Sequence, residues 1–325
     1  MTAPVVVAEV VRSGFVEGHH YGSLLALDSS GEVDWAVGDV TSPILPRSCN
    51  KPLQALGMLR VGLDLPDELL ALACASHSGE EFHVAGVREI LAGAGLDESA
   101  LQTPPDLPLD DTAREAVLAA GGSRAPVLMN CSGKHAAMLA TCVANGWDTA
   151  TYRRADHPLQ VAIRGTFVEM TGEPDPVVAV DGCGAPLFST SLTGLARAFR
   201  RLALGLDGHD RPDERSRRVT DAIRQQPAYV SGTRRDEREL LTALPGAIGK
   251  AGAESCYALA LADGRAFALK TDDGAARVRP VLMAAALERS GVLEDPDVDA
   301  EAVRRTGHVP LLGGGEPVGE LRACF

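Results

Sequence analysis

Four residues of this sequence are lysine, Lys51, Lys134, Lys250 and Lys270, although 31 residues are basic. Arginine keeps its proton at any working pH, whereas a desolvated lysine can lose it and act as a base, so each lysine in an arginine-biased chain is a candidate for chemistry. The first lies in Ser48-Cys49-Asn50-Lys51. On a helix, positions i and i+3 share a face, which lets the Lys51 amine reach the Ser48 hydroxyl and activate it as a nucleophile. The alternative is an N-cap serine followed by a surface lysine. A second group is Cys131-Ser132-Gly133-Lys134-His135 with Asp181-Gly182-Cys183. Two thiols, an imidazole and a carboxylate can bind zinc, but the spacing matches no standard zinc pattern. The competing reading is that Cys131 and Cys183 are small core residues and His135 a satisfied core histidine. Ala75-Ser76-His77-Ser78-Gly79 and Gly249-Lys250-Ala251-Gly252 complete the set. Neither serine sits in a G-x-S-x-G elbow, so an α/β-hydrolase triad is not supported, and His77 can equally be a packing residue.

Elements that could position these groups follow from periodicity. Val5–Val11, Ser23–Asp28 and Val33–Val37 read as an opening antiparallel meander, with turn residues at Asp28-Ser29-Ser30-Gly31. A helix should begin near residues 48–52, placing Ser48 and Lys51 at its start. Another is expected from Glu80 to Ala94, followed by a Pro- and Asp-rich loop over Thr103–Thr112. Pro126–Met129 reads as a strand that ends in Asn130-Cys131-Ser132-Gly133, with a helix from there to Ala144. Asp156-His157-Pro158 opens a helix running to Thr171, and Val177–Val180 reads as a buried strand ending at Asp181. Helices are predicted over Ser191–Leu204, Pro212–Gln225, Arg235–Leu244 and Arg277–Ser290. Asp263-Gly264 turns a hairpin between Tyr257–Ala262 and Ala266–Lys270. Strands at both ends and helices in the middle predict an α/β protein of the α+β kind, a mixed and mainly antiparallel sheet with flanking helices. No repeat or linker divides residues 1–325, which read as a single catalytic domain, with two subregions sharing one site as a variant of that reading. The G-x-G-x-x-G and P-loop fingerprints are absent, and Gly313-Gly314-Gly315 lacks the Lys-Ser/Thr of a phosphate cradle.

Composition narrows the function. The chain of 325 residues is 45% hydrophobic and 23% charged, in the range of globular proteins. Its net charge of −13 opposes nucleic acid and anionic membranes, and 4% aromatic residues leave little for base-stacking platforms. No run approaches the ~20 apolar residues of a membrane span, and no basic leader precedes Val5, which gives a cytoplasmic reading. The seven cysteines are Cys49, Cys74, Cys131, Cys142, Cys183, Cys256 and Cys324. They form no disulfide-framework pattern and read as thiols, mostly buried.

Taken in order, Arg12-Ser13-Gly14 with Glu17, Arg47-Ser48-x-x-Lys51-Pro52, Cys74-Ala75-Ser76-His77-Ser78, Asn130 to His135, Asp156-His157-Pro158, Asp181-Gly182-Cys183 and Gly249-Lys250-x-Gly252-Ala253 resemble the rhizobial-type (class 3) L-asparaginases, the asparaginase II-like family, over residues 6–290. The resemblance implies a fold similar to that of serine β-lactamases and glutaminases, hydrolysis of L-asparagine to L-aspartate and ammonia, and a homodimer. It implies two Ser–Lys pairs, Ser48 as nucleophile with Lys51 as base and Ser76 with Lys250, and a substrate-orienting Zn2+ held by Cys131, Lys134 and Cys183. Asp181 is implied as a ligand of the substrate amino group, with Arg47, Asn130 and His77 also at the substrate. The segment Ser231–Glu237 keeps the outline of a family motif but carries Arg234 where glycine is usual. Two rivals stand beside this reading: a serine β-lactamase-like or glutaminase-type amidase on another amide, and a catalytically silent amino-acid-binding homologue.

Overall fold

The structure, a computed structural model, describes residues 4–325. In chain order the elements begin with β1 (Val5–Arg12), β2 (Phe15–Leu27), β3 (Val33–Val37), α1 (Lys51–Arg60), α2 (Asp67–Ala73), α3 (Glu81–Gly93) and α4 (Asp111–Ala119). They continue with α5 (Ser132–Ala144), α6 (Pro158–Thr171), β4 (Val178–Val180), β5 (Pro186–Phe188), α7 (Leu192–Ala203), α8 (Glu214–Gln225) and α9 (Pro227–Val230). The last are α10 (Asp236–Ala243), β6 (Ile248–Gly252), β7 (Cys256–Ala260), β8 (Ala266–Thr271), α11 (Arg279–Arg289), α12 (Ala300–Gly307), β9 (Pro310–Gly313) and β10 (Glu316–Ala323). They fall into two compact units: the chain up to Cys49 with Thr190–Leu204 and Glu239–Phe325, and Asn50–Ser189 with Gly205–Arg238.

The first unit is built on an eight-stranded sheet ordered β6-β7-β8-β2-β1-β10-β9, with β3 also paired to β2. Every pairing among its described strands is antiparallel, so the expected α+β architecture with its antiparallel sheet is present. The Asp263-Gly264 turn joins β7 to β8 as its residue types require, with Gly264 at φ +93. Helix α7 packs on β2, β7 and β8. Its Leu192, Leu195, Ala196, Phe199 and Leu202 recur at helical spacing and are buried, and Ser191 caps it by accepting the Gly194 N–H at 2.9 Å. Helix α11 packs against β7, β8 and β10. Both the C-terminal hairpin β9–β10 and the edge strand β6 lie outside the elements foreseen from the sequence. The Gly313–Gly315 cluster forms the β9–β10 turn, where Gly314 and Gly315 take positive φ.

The second unit is helical, with the β4–β5 ribbon as its sheet. Helices α1 and α6 pack closely at Gly57, where a Cβ would stand 3.0 Å from the Ile163 Cα. The first turn of α5 presses on α2, and a Cβ at Gly133 would stand 2.7 Å from the Leu72 carbonyl oxygen. Two expectations need correction. Pro126–Met129 is not a strand: Ala125 makes a single bridge to Asp106, Pro126 has no N–H with which to extend it, and Pro126–Leu128 closes as a 3-10 turn. Val177–Val180 is not buried: β4 pairs with β5 alone, and Val180 is 78% exposed. Leu69–Ala73, unassigned from the sequence, belongs to α2 with Cys74 as its C-cap, and the first turn carries Asp67 and Glu68 at the positive end of the helix dipole.

Candidate functional site

Three of the four lysines are buried: Lys51 and Lys250 are 0% exposed and Lys134 1%. Lysine is among the residues least often buried without a partner, so three such burials mark where this chain spends charge for a purpose. Lys51 is the first residue of α1. Its Nζ donates to the Ala75 carbonyl at 2.5 Å and to Ser76 Oγ at 2.9 Å. Ser76 follows the end of α2 on the irregular stretch that leads to α3, which frees its hydroxyl from helix geometry.

His77 sits beside it with its main-chain N–H and both ring nitrogens engaged. Its main-chain N–H donates to the Asn130 carbonyl at 3.0 Å, and Nδ1 accepts the Gly79 N–H at 3.1 Å. Ser132 Oγ donates its one proton to the Val127 carbonyl at 2.8 Å, so its contact with His77 Nε2, also 2.8 Å, makes that nitrogen the donor. The ring is therefore neutral, and burial, then His83 and Lys51, hold its pKa well below the ordinary value. The main-chain N–H and Nε2 fasten the Ser76 segment to the 130–132 segment, and Nδ1 closes the turn at Gly79.

The His77 ring stacks on His83 at 5.2 Å between centroids. Burial lowers the His83 pKa to about 4, although the Ala228 carbonyl bonded to Nε2 pulls the other way. In the unfolded chain such a ring titrates near 6.5. The neutral form that folding favours contributes its full stability above about pH 6.5, and that contribution disappears as pH falls toward about 4. A shift of this size corresponds to about 3 kcal/mol. Urea unfolding at pH 7 and pH 4.5 should show this loss in the wild type and a flatter profile in His83→Gln; equal slopes in the two proteins would contradict it.

The second group converges within the same unit. Cys131 precedes α5, Lys134 and His135 lie in its first turn, and Cys183 lies on the β4–β5 turn. That turn is closed by Asp181 N–H to the Ala185 carbonyl and Gly184 N–H to the Asp181 carbonyl, with Gly184 at φ +85. Lys134 Nζ stands 3.2 Å from Cys183 Sγ, and Asp181 Oδ2 3.9 Å from the same sulfur. The Cys131 thiol lies 3.1 Å from Asn130 Oδ1. A hydrogen bond from Cys131, against the cost of burial and with help from Lys134, holds Cys183 far below the ordinary thiol range. Cys131 is correspondingly pushed well above it. Burial opposes the Lys134 charge, but the Cys183 and Cys131 sulfurs and Asp181 outweigh it and raise the amine. Among the described residues no group of three His, Cys, Asp and Glu side chains is arranged to hold a metal. Two sulfurs and a lysine amine are nonetheless donor types that zinc accepts, and binding there would have to displace the Lys134 proton and the remaining thiol protons.

In the first unit, Ser48 lies in the 3-10 turn Arg47–Asn50 that runs directly into α1, and it is buried. Cys49 Sγ donates to the Lys250 carbonyl at 3.0 Å, which sets this turn against edge strand β6. Gly252 makes the approach possible: a Cβ there would stand 2.8 Å from the Pro46 carbonyl oxygen and 3.3 Å from the Ser48 nitrogen. The glycine after Lys250 in the motif thus has a packing reason. Lys250 Nζ donates to the Ala251 carbonyl at 2.8 Å. Arg47 takes a positive φ of 51 and pairs with Glu254 at 3.4 Å, and Lys270 holds the Glu254 carbonyl at 2.9 Å.

Sequence reasoning passed over Tyr152, whose buried hydroxyl lies 2.7 Å from His135 Nδ1 and supports the first turn of α5. It also passed over the use of Arg234, which pairs with Asp110. Neither residue has a spacing signal to a chemical group; only the folded chain brings them there.

No curated protein matches the chain. Among solved structures, a β-lactamase from Mycobacterium bovis superposes with a TM-score of 0.45 at 16% identity, covering 82% of this chain and 94% of that one. A hydrolase described as having promiscuous acyltransferase activity gives 0.42 at 14% identity, covering 82% and 93%. The family model described as L-asparaginase II matches residues 8–323, nearly the whole sequence. The protein therefore belongs to the L-asparaginase II family and is an amidohydrolase.

Proposed function

We propose that the protein hydrolyses the side-chain amide of L-asparagine to L-aspartate and ammonia through a serine ester. The observation that carries this reading is the buried Lys51 amine held on Ser76 Oγ and the Ala75 carbonyl. A neutral amine has two N–H bonds and one lone pair. With the N–H bonds on Ala75 and Ser76, the remaining lone pair is the base that this reading assigns to the Ser48 hydroxyl, three residues earlier in the chain. Ser48 Oγ then attacks the amide carbon while Lys51 takes its proton. Collapse of the tetrahedral intermediate breaks the C–N bond, and that proton, relayed through Ser76, leaves with the nitrogen as ammonia. Water, activated by the same amine, hydrolyses the ester and returns the proton to Ser48. Lys250, placed against the Ser48 turn through Cys49, assists proton transfer, and Asp181 receives the substrate ammonium.

Cys131, Lys134 and Cys183 would hold zinc, which when bound supplies a fixed positive charge for orienting the substrate. Asn130 and Arg47 contribute to substrate placement, while His77 acts on Ser76 and Ser132 from behind.

The 2.9 Å contact between Lys51 and Ser76 also favours a second reading, in which Ser76 donates its proton to the lone pair and is itself the nucleophile. Ammonia release from L-asparagine and L-glutamine by the wild type, Ser48→Ala and Ser76→Ala separates the two. Preference for asparagine, loss of about 10³-fold or more in Ser48→Ala and a smaller loss in Ser76→Ala are expected. Activity surviving Ser48→Ala would move the nucleophile to Ser76, and no release from either amide would contradict the reaction.

A further inference from the structure

We infer that Arg234 is a positioning residue for this reaction, latching the strap Ser231–Arg234 onto the segment that carries Ser76. The inference rests on the amidase reading for its kinetic consequence but on geometry for its physical one. Arg234 Nε and Nη2 grip both oxygens of Asp110 at 2.8 and 2.5 Å, and Nη2 lies 3.9 Å from Glu80. The fork is the arrangement that a guanidinium makes with a carboxylate and an ammonium cannot. Its side chain is 53% exposed while those of Asp110 and Glu80 are 10% and 12% exposed, so one half-solvated cation offsets two mostly buried anions.

Both acidic residues lead back to the segment that carries Ser76, Asp110 through its main chain and Glu80 as part of it. The Asp110 N–H donates to the Ser78 carbonyl at 3.0 Å, and Ser78 Oγ donates to the Ser231 carbonyl at 2.9 Å. Glu80 accepts the Thr233 N–H at 2.8 Å and the Thr233 hydroxyl at 2.6 Å. Gly232, at φ +151, has no room for a Cβ, which would overlap the Ser78 side chain. Ser78 is thus gripped at its carbonyl and at its hydroxyl, two residues beyond the serine on Lys51. Such an arrangement fixes the direction in which Ser76 Oγ points, and orientation of a reacting group is worth more to turnover than to ground-state binding.

The test compares the wild type with Arg234→Gly and Arg234→Lys. In Arg234→Gly, kcat for L-asparagine should fall about five- to tenfold with KM changed less than about twofold. Arg234→Lys should recover part of the loss, because charge returns without the fork. Raising NaCl from 0.1 to about 1 M screens this half-exposed pair, so the wild-type kcat should decline toward that of Arg234→Gly, which salt leaves unmoved. Amide exchange gives a readout independent of turnover: the His77 and Gly79 N–H groups should exchange faster in Arg234→Gly. Unchanged exchange at these amides, or a kcat within twofold of wild type with the same salt response, would overturn the latch. A wild type inert toward both amides but with exchange altered by Arg234→Gly would instead reject the amidase reading while retaining the latch.

Discussion

Replacing Lys51 with Met is expected to lower ammonia release from L-asparagine by about 10³-fold or more, while the protein stays folded. Methionine fills the volume of the lysine stem and brings no charge to desolvate, so the core at α1 is kept. The Ala75 carbonyl and Ser76 hydroxyl each lose one donor, worth about 1 kcal/mol apiece. That is a modest stability cost beside the loss of the group that accepts the serine proton in the proposed mechanism. Lys51→Arg should be nearly as inactive although arginine is also a basic side chain, because a guanidinium does not give up its proton at working pH. Circular dichroism and kcat measured on the same samples check both parts. Turnover within tenfold of wild type in Lys51→Met would remove Lys51 from the base role.

Replacing Cys183 with Ala should empty the zinc site and raise KM for L-asparagine by about tenfold or more, with a smaller fall in kcat. Cys183 carries the thiolate against which the Lys134 ammonium is set, so its removal leaves a buried cation with Asp181 as the nearest named anion. Breaking a buried ion pair by removing one partner costs about 3–5 kcal/mol. The variant should therefore also unfold at lower urea concentration when both proteins are compared without metal. Metal analysis of the purified proteins decides the assignment, and zinc content equal to that of the wild type would refute it.

The buried polar cluster of this protein was legible in the sequence chiefly because lysine is rare in it. That ground marked all four lysines alike: the fold buries Lys51, Lys134 and Lys250, and Lys270 is half-buried on β8. Local patterns carried the helix at Ser48–Lys51, the Asp263-Gly264 hairpin and α7, whose periodicity and cap agree. Patterns failed where one residue overrides a run. Pro126 stops a strand that Val127 and Leu128 would favour, and β4 is apolar yet open because its single neighbour is β5. Spacing alone could not pair Lys51 with Ser76 across 25 positions, and Lys134 was put with Cys183, 49 positions away, only through the family resemblance. Arg234 stood out only as a departure from a family pattern; its grip on Asp110 spans 124 positions.

The central claim is that Ser48 becomes acylated by L-asparagine. Rapid mixing with substrate, acid quench and peptide mass analysis would test it directly, with Ser48→Ala and Ser76→Ala run in parallel. The account predicts a β-aspartyl ester on the peptide containing Ser48, present in the wild type and in Ser76→Ala and absent from Ser48→Ala. An ester found instead on Ser76, or ammonia released through repeated turnovers with no ester on either serine, would contradict it.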